Sequence, residues 1–82
     1  MRVMEGVHVE WVDDEAVALD ASTGQLHYLN PPAALFLAIV LEHGYQRALA
    51  EVRSTYEDEP DFDEELTQMI EQMKEGGLLV DD

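Results

Sequence analysis

Apolar and polar residues alternate along the first third of the chain, a pattern that predicts strands with one buried face. The segment 7–11 (VHVEW) alternates, and 15–20 (EAVALD) and 25–29 (QLHYL) are two further short strand-like runs. Turn residues separate these runs: two aspartates at 13–14, and a polar stretch ending in Gly24, which is free to take a positive φ. Three strands joined by two short turns predict an antiparallel meander.

The pattern becomes helical after the third predicted strand. Asn30 followed by two prolines predicts a helix start, because Asn caps helices and Pro is tolerated in the first turn. The segment 33–41 (AALFLAIVL) contains no polar residue, so it predicts a helix that is buried nearly all round at the centre of the domain. Gly44 is expected to end this helix as a left-handed cap.

Two amphipathic helices are predicted in the second half of the chain. One runs from about 45 to 56, where apolar residues are spaced four, three and four positions apart. The next begins at Asp61, the expected N-cap, with Glu64 as its capping-box partner, and it ends before the glycines at 76–77. The apolar stripe of this third helix consists of Phe62, Leu66, Met69, Ile70 and Met73.

The predicted order is therefore three strands followed by three helices, with residues 78–80 (LLV) folding back on the core. This is an α+β fold similar to a winged helix-turn-helix. The length of 82 residues allows one domain, which we assign to residues 1–82. The hydrophobic fraction of 46% is typical of globular proteins, so a high content of acidic residues does not indicate disorder here.

The charge narrows the choice of partners. The chain has 19 Asp and Glu against 4 Lys and Arg, a formal net charge of −15. Binding of nucleic acid needs clustered cations, whereas the four here are scattered and the third predicted helix exposes mainly carboxylates. We therefore expect neither a nucleic-acid nor a membrane partner. A basic or neutral peptide fits this charge better.

The sequence offers little for catalysis or metal binding. It has no Cys, and Ser22 and Thr23 lie in a predicted turn rather than in a nucleophile motif. The histidines are isolated, and the acidic run 58–64 lacks the glycine and spacing of a calcium loop. We predict no enzyme, no metal and no cofactor. With no bilayer-length apolar run and no secretory signal at the start, we expect a cytoplasmic protein.

The third predicted strand, 25–29, is expected to leave one edge of the sheet open. A peptide extended along this edge would gain ladder hydrogen bonds, each contributing a net of about 0.5–1.5 kcal/mol. The third predicted helix would supply an apolar wall, for which Met69 and Met73 are suited because Met adapts to varied side chains. The alternative, that these methionines are plain core residues, is left open by periodicity alone.

Four short segments follow one another in a recognisable order and spacing, with an Ala-rich apolar helix before the last of them. They are 18–20 (ALD), 23–25 (TGQ), 28–30 (YLN) and 73–79 (MKEGGLL). Together they resemble the PqqD-like family of peptide-binding domains, also called RiPP recognition elements, over about residues 7–80. The chain departs from the family's commonest pattern in the two prolines after Asn30 and in the doubled glycine at 76–77.

The resemblance implies that the leader of a ribosomally made precursor peptide docks as an added strand between the third strand and the third helix. A free-standing chain of this size is most similar to the leader-binding protein of lasso-peptide biosynthesis, which presents the precursor to a separate leader peptidase and then a cyclase. Such leaders often carry a Tyr-x-x-Pro segment. The implied peptide-binding residues are Gln25, Leu26, His27, Tyr28, Leu29, Leu66, Met69, Ile70 and Met73.

Two questions stay open in the sequence. Leu29 and His27 share one face of the third strand and Leu26 and Tyr28 the other, and either face could line the cleft. We expect Leu29 in the core and Tyr28 as an exposed contact. The second question is function, since an acidic protein-interaction module, such as a nucleic-acid mimic that binds a basic protein, would have the same charge.

Overall fold

The computed structural model describes residues 1–81, which form three helices and five strands. The predicted α+β class, with a three-stranded antiparallel sheet followed by three helices, is confirmed. In chain order the elements are β1 (Arg2–Val3), β2 (Val7–Val12), β3 (Glu15–Asp20), β4 (Gln25–Leu29), α1 (Pro31–His43), α2 (Tyr45–Thr55), α3 (Phe62–Glu75) and β5 (Leu79–Val80).

The main sheet has the strand order β2–β3–β4, so the third predicted strand is β4. β3 is central, and its Ala16 and Ala18 are buried on the face that α1 covers. The register pairs Ala18 with Val9 on one side and with His27 on the other. Among residues 1–81, β2 and β4 each pair with β3 alone, which leaves both edges of this sheet without a further strand.

A second, very small sheet joins the two ends of the described chain. β1 and β5 pair antiparallel, with Val3 opposite Leu79. Leu78 and Leu79 are each 2% exposed, so the expected return of this segment to the core is confirmed. The predicted order of three strands and three helices nevertheless missed both short strands. Two residues carry no periodic signal, and their pairing depends on a partner far away in the sequence.

The start of α1 follows the sequence prediction, and its end differs in detail. The Asn30 side chain accepts a hydrogen bond from the Ala33 amide at 3.1 Å, and the two prolines fill the first two helical positions. Most of the helix is buried, but Leu41 is 51% exposed. The predicted burial of the segment 33–41 therefore does not extend to its last residue. Gly44 ends α1 as its C-cap, as expected, and its φ of 92° is one that favours glycine, but its ψ of 169° is not that of the left-handed helical conformation.

The apolar stripe of α3 is largely confirmed. Phe62, Leu66, Ile70 and Met73 are buried, and Met69 is half-buried. The capping box predicted at the start of α3 was wrong. Asp61 has φ 63° and ψ 16° and makes no side-chain cap hydrogen bond, because a capping side chain needs an extended backbone to reach the following amides. Across residues 1–81, no helix has the length and hydropathy to cross a bilayer.

Candidate functional site

A groove of about 480 Å³ lies between β4 and α3, and we call it the α3 groove. Its floor comes from the end of β4 and the start of α1, its wall from one side of α3, and one residue comes from the segment before β5. The lining residues are His27, Tyr28, Leu29, Asn30, Pro32, Ala33, Phe62, Glu65, Leu66, Gln68, Met69, Gln72, Met73 and Leu78.

The structure identifies the face of β4 that is turned toward this groove. Leu29 is 3% exposed and His27 is half-buried, whereas Leu26 and Tyr28 are 69% and 65% exposed. His27 and Leu29 therefore share the inner face, and Leu26 and Tyr28 share the outer one. The expectations of a core Leu29 and an exposed Tyr28 are both confirmed.

His27 brings β4 against the end of α3. A β-carbon added to Gly76 would lie 3.2 Å from Cε1 of His27, so the absence of a side chain at position 76 permits this approach. The Nε2 atom of His27 is buried and has no hydrogen-bond partner within residues 1–81. A buried polar atom without a partner costs stability.

The side chains of α3 that form the wall of the groove differ in solvent exposure. Leu66 and Met73 are 2% and 4% exposed and form the deep part, while Met69 is half-buried beside them. Glu65, Gln68 and Gln72 provide the exposed polar border. The same face of α3 therefore contributes to both the core and the groove.

Six of the nine predicted peptide-binding residues line the α3 groove, and three do not. Gln25 and Leu26 lie at the far end of β4 and are exposed, and Ile70 is 8% exposed in the core. The sequence prediction missed Asn30, Pro32 and Ala33, although they directly follow β4. It also missed Phe62, although the predicted apolar stripe of the third helix contained it, and Leu78, whose approach depends on tertiary packing. The polar border of the groove was missed too.

Within residues 1–81, the C-terminal segment does not pair with the open edge of β4. The Leu78 amide donates to the Met73 carbonyl at 2.8 Å, and β5 pairs with β1. In the part of the chain that the structure describes, β4 therefore has a strand on one side and the α3 groove beside its free edge.

The turn before β4 is held by a buried carboxylate. Asp20 is 6% exposed and accepts hydrogen bonds from the Ser22 hydroxyl at 2.7 Å and the Ser22 amide at 3.0 Å. The hydroxyl bond and then the amide bond hold the pKa of Asp20 below its usual range. Gly24, with φ 76°, donates its amide to the Asp20 carbonyl at 2.7 Å. This turn fixes the start of β4 relative to β3.

The outer face of the sheet carries an exposed apolar surface. Leu19 pairs with Leu26 and Val17 with Tyr28, and we call these four residues the outer patch. The Tyr28 hydroxyl donates to the Glu15 carboxylate, and this hydrogen bond raises the pKa of Tyr28. Tyr28 remains 65% exposed with this bond in place, so its ring still contributes to the outer patch.

The lining of the α3 groove contains apolar and neutral polar side chains and few charged ones. Its one charged lining residue is Glu65, and no Lys or Arg is among the lining residues. Within residues 1–81, no three His, Asp or Glu side chains are grouped as metal ligands. An apolar wall, a polar border and a free strand edge are features that sheets use to bind extended polypeptides.

Comparison of the chain with family models, with curated proteins and with solved structures found no match.

Proposed function

We propose that this protein is a non-catalytic adaptor that binds the leader of a ribosomally made precursor peptide. The leader adds to β4 as a fourth strand and lies over the α3 groove. The observation that carries this proposal is that, within residues 1–81, a strand edge without a partner strand lies next to a groove of about 480 Å³ whose deep wall is apolar and whose border is polar. The resemblance to the PqqD-like family supports the same site.

Strand addition at β4 divides the binding energy between backbone and side chains. Each ladder hydrogen bond contributes a net of about 0.5–1.5 kcal/mol, whatever the peptide sequence. Specificity comes from alternate side chains, because every second residue of the leader faces the α3 groove. Met69, half-buried and flexible, can adjust to an aromatic side chain such as the tyrosine of a Tyr-x-x-Pro leader.

An adaptor also needs a second surface for the enzymes it serves. The outer patch meets this need, since Leu26 and Tyr28 are well exposed on the outer face of the sheet, where Tyr28 also borders the α3 groove. A leader bound along β4 would extend this face with its own outward side chains. We propose that a separate leader peptidase docks here, that a cyclase acts afterwards, and that all these steps take place in the cytoplasm.

A titration with a synthetic leader peptide tests the proposal. We expect a micromolar dissociation constant or lower, equivalent to about −8 kcal/mol or stronger, measured by isothermal titration calorimetry. A reversed-sequence peptide of the same composition is the control and should bind at least about tenfold more weakly. Equal affinity for both peptides, or no measurable binding, would reject a leader-specific adaptor.

The alternative function, an acidic module that binds a basic protein, rests on the net charge of −15. Its binding would fall steeply with salt and would not depend on the α3 groove. The two functions are therefore separated by Met69→Ala, a neutral change that weakens leader binding and leaves charge-driven capture of a basic protein unaltered.

A further inference from the structure

The sheet has a second open edge, at β2, and a second groove lies beside it. This groove has a volume of about 300 Å³ and is formed by β2 and the C-terminal half of α1, so we call it the α1 groove. The side chains that matter here are Val9 and Trp11 on β2, and Ala38, Leu41 and Glu42 on α1.

Two large apolar side chains of the α1 groove are exposed although their elements face the core. Trp11 is the cross-strand partner of the buried Ala16 and so belongs to the inner face of the sheet, yet it is 48% exposed. Leu41 is 51% exposed on a helix whose other large apolar residues are buried or half-buried. Covering a tryptophan and a leucine would remove substantial apolar area from water.

The edge of β2 can accept a strand. β2 has six residues, and within residues 1–81 it pairs with β3 alone. The Val7 amide donates a hydrogen bond to the Met4 carbonyl at 3.4 Å, so the first residue of the strand is already engaged. The part of the edge that can pair with another strand therefore lies toward Val12. This is the end at which Trp11 borders the groove.

The charges near this edge favour a partner with basic residues. Glu42 lines the groove with its carboxylate 3.9 Å from the His43 imidazole, and Glu10 lies on the outer face of β2. His8 is also a lining residue, whereas no Lys or Arg is. A second copy of this chain is disfavoured, because each copy carries a net charge of −15.

We infer that the β2 edge and the α1 groove bind an extended segment of another protein in which apolar and basic residues alternate. The apolar side chains of this segment cover Trp11 and Leu41, and the basic ones lie on the outer face near Glu10. β2 and β4 are separated by β3, about 10 Å apart at the usual strand spacing, so both edges can be occupied together. The inference stands independently of the function proposed for the α3 groove.

Trp11 makes the test direct, because it is the only tryptophan in the chain. The probe is the blocked heptapeptide Lys-Val-Lys-Leu-Lys-Val-Lys, titrated while tryptophan fluorescence is recorded. We expect a saturable blue shift of the emission, together with slower hydrogen exchange of β2 amides and unchanged exchange of β4 amides. The control is Lys-Lys-Val-Leu-Val-Lys-Lys, which has the same charge and composition without the alternation.

Two variants complete the experiment. Leu41→Ala should weaken probe binding by about fivefold or more, because it removes apolar contact without changing charge. Gln46→Ala, a neutral truncation at an exposed position of α2 outside both grooves, should leave probe affinity unchanged. Equal affinity for the alternating and rearranged peptides, protection at β4 rather than β2, or insensitivity to Leu41→Ala would each overturn the inference.

Discussion

The imidazole of His27 lies against the backbone of Gly76, so that a β-carbon at position 76 would be only 3.2 Å from the His27 Cε1 atom. This contact joins β4 to the end of α3 and holds together the two elements that form the α3 groove. The groove therefore depends on the small size of residue 76 as well as on its apolar walls.

Gly76→Ala should lower the free energy of unfolding by about 1 kcal/mol, because the added methyl crowds both His27 and the Gln72 carbonyl, which would be 3.3 Å away. Gly76 has φ −78°, which alanine adopts readily, so crowding is the cause and not backbone strain. Urea denaturation measures the effect. His27→Ala in the same chain should remove part of the loss, and strictly additive losses in the double variant would contradict the contact.

Met69→Glu should weaken binding of a leader peptide more than tenfold, since it places a carboxylate on the wall of the α3 groove. Met69 is half-buried, so the fold should survive, whereas Met73 is 4% exposed and a charge there would also unfold the protein. Calorimetric titration gives the affinity. Thr67→Glu, an exposed position on α3 outside the groove, adds the same charge and should have little effect. Equal losses in both variants would assign the effect to charge alone.

Leu26→Pro and His27→Pro should have different consequences, because neighbouring residues of an edge strand point their amides in opposite directions. One proline removes a hydrogen bond to β3 and lowers stability. The other removes a donor from the open edge and mainly weakens leader binding. Denaturation and titration of both variants show which is which. Leader affinity that is unaffected in both would exclude β4 as the binding edge.

Ser22→Ala should destabilise the protein at neutral pH, and this difference should shrink in acid. The Ser22 hydroxyl and amide hold the pKa of Asp20 below its usual value, about 3.9 for aspartate. A lowered pKa in the folded state means that the stabilisation is present above the unfolded pKa and is lost as the pH falls through the folded pKa. Thermal unfolding from pH 7 to pH 2 measures this, and a pH-independent difference between variant and wild type would show that the ionised carboxylate is not responsible.

The sequence predicted those parts of the fold that local chemistry determines. Asn30 and the prolines after it define the start of α1, because capping requires only neighbouring residues. The capping box at Asp61 failed since its backbone is left-handed, a conformation that nothing in the adjacent sequence indicates. β1 and β5 were missed because their pairing joins the two ends of the described chain.

The α3 groove was predictable in outline and not in its details. The third predicted strand has leucines at both odd and even positions, so its pattern could not show which face was buried. Leu29 is buried on the face of the sheet that packs against α1, whereas Leu26 and Tyr28 lie on the outer face. The close approach of His27 to Gly76 also depends on tertiary packing. The sequence signal for it was the second of two adjacent roles of this glycine, since a glycine can both end a helix and permit a close contact.

The central claim is that a guest peptide completes the main sheet at β4. Hydrogen–deuterium exchange of the protein with and without a synthetic leader measures this most directly, because a new ladder protects the amides that point out of the free edge. We predict slower exchange at alternate residues of 25–29 and along the groove side of α3, with exchange in β2 unchanged. Leader binding with no added protection in β4, or with protection confined to the acidic segment 57–65, would contradict the account.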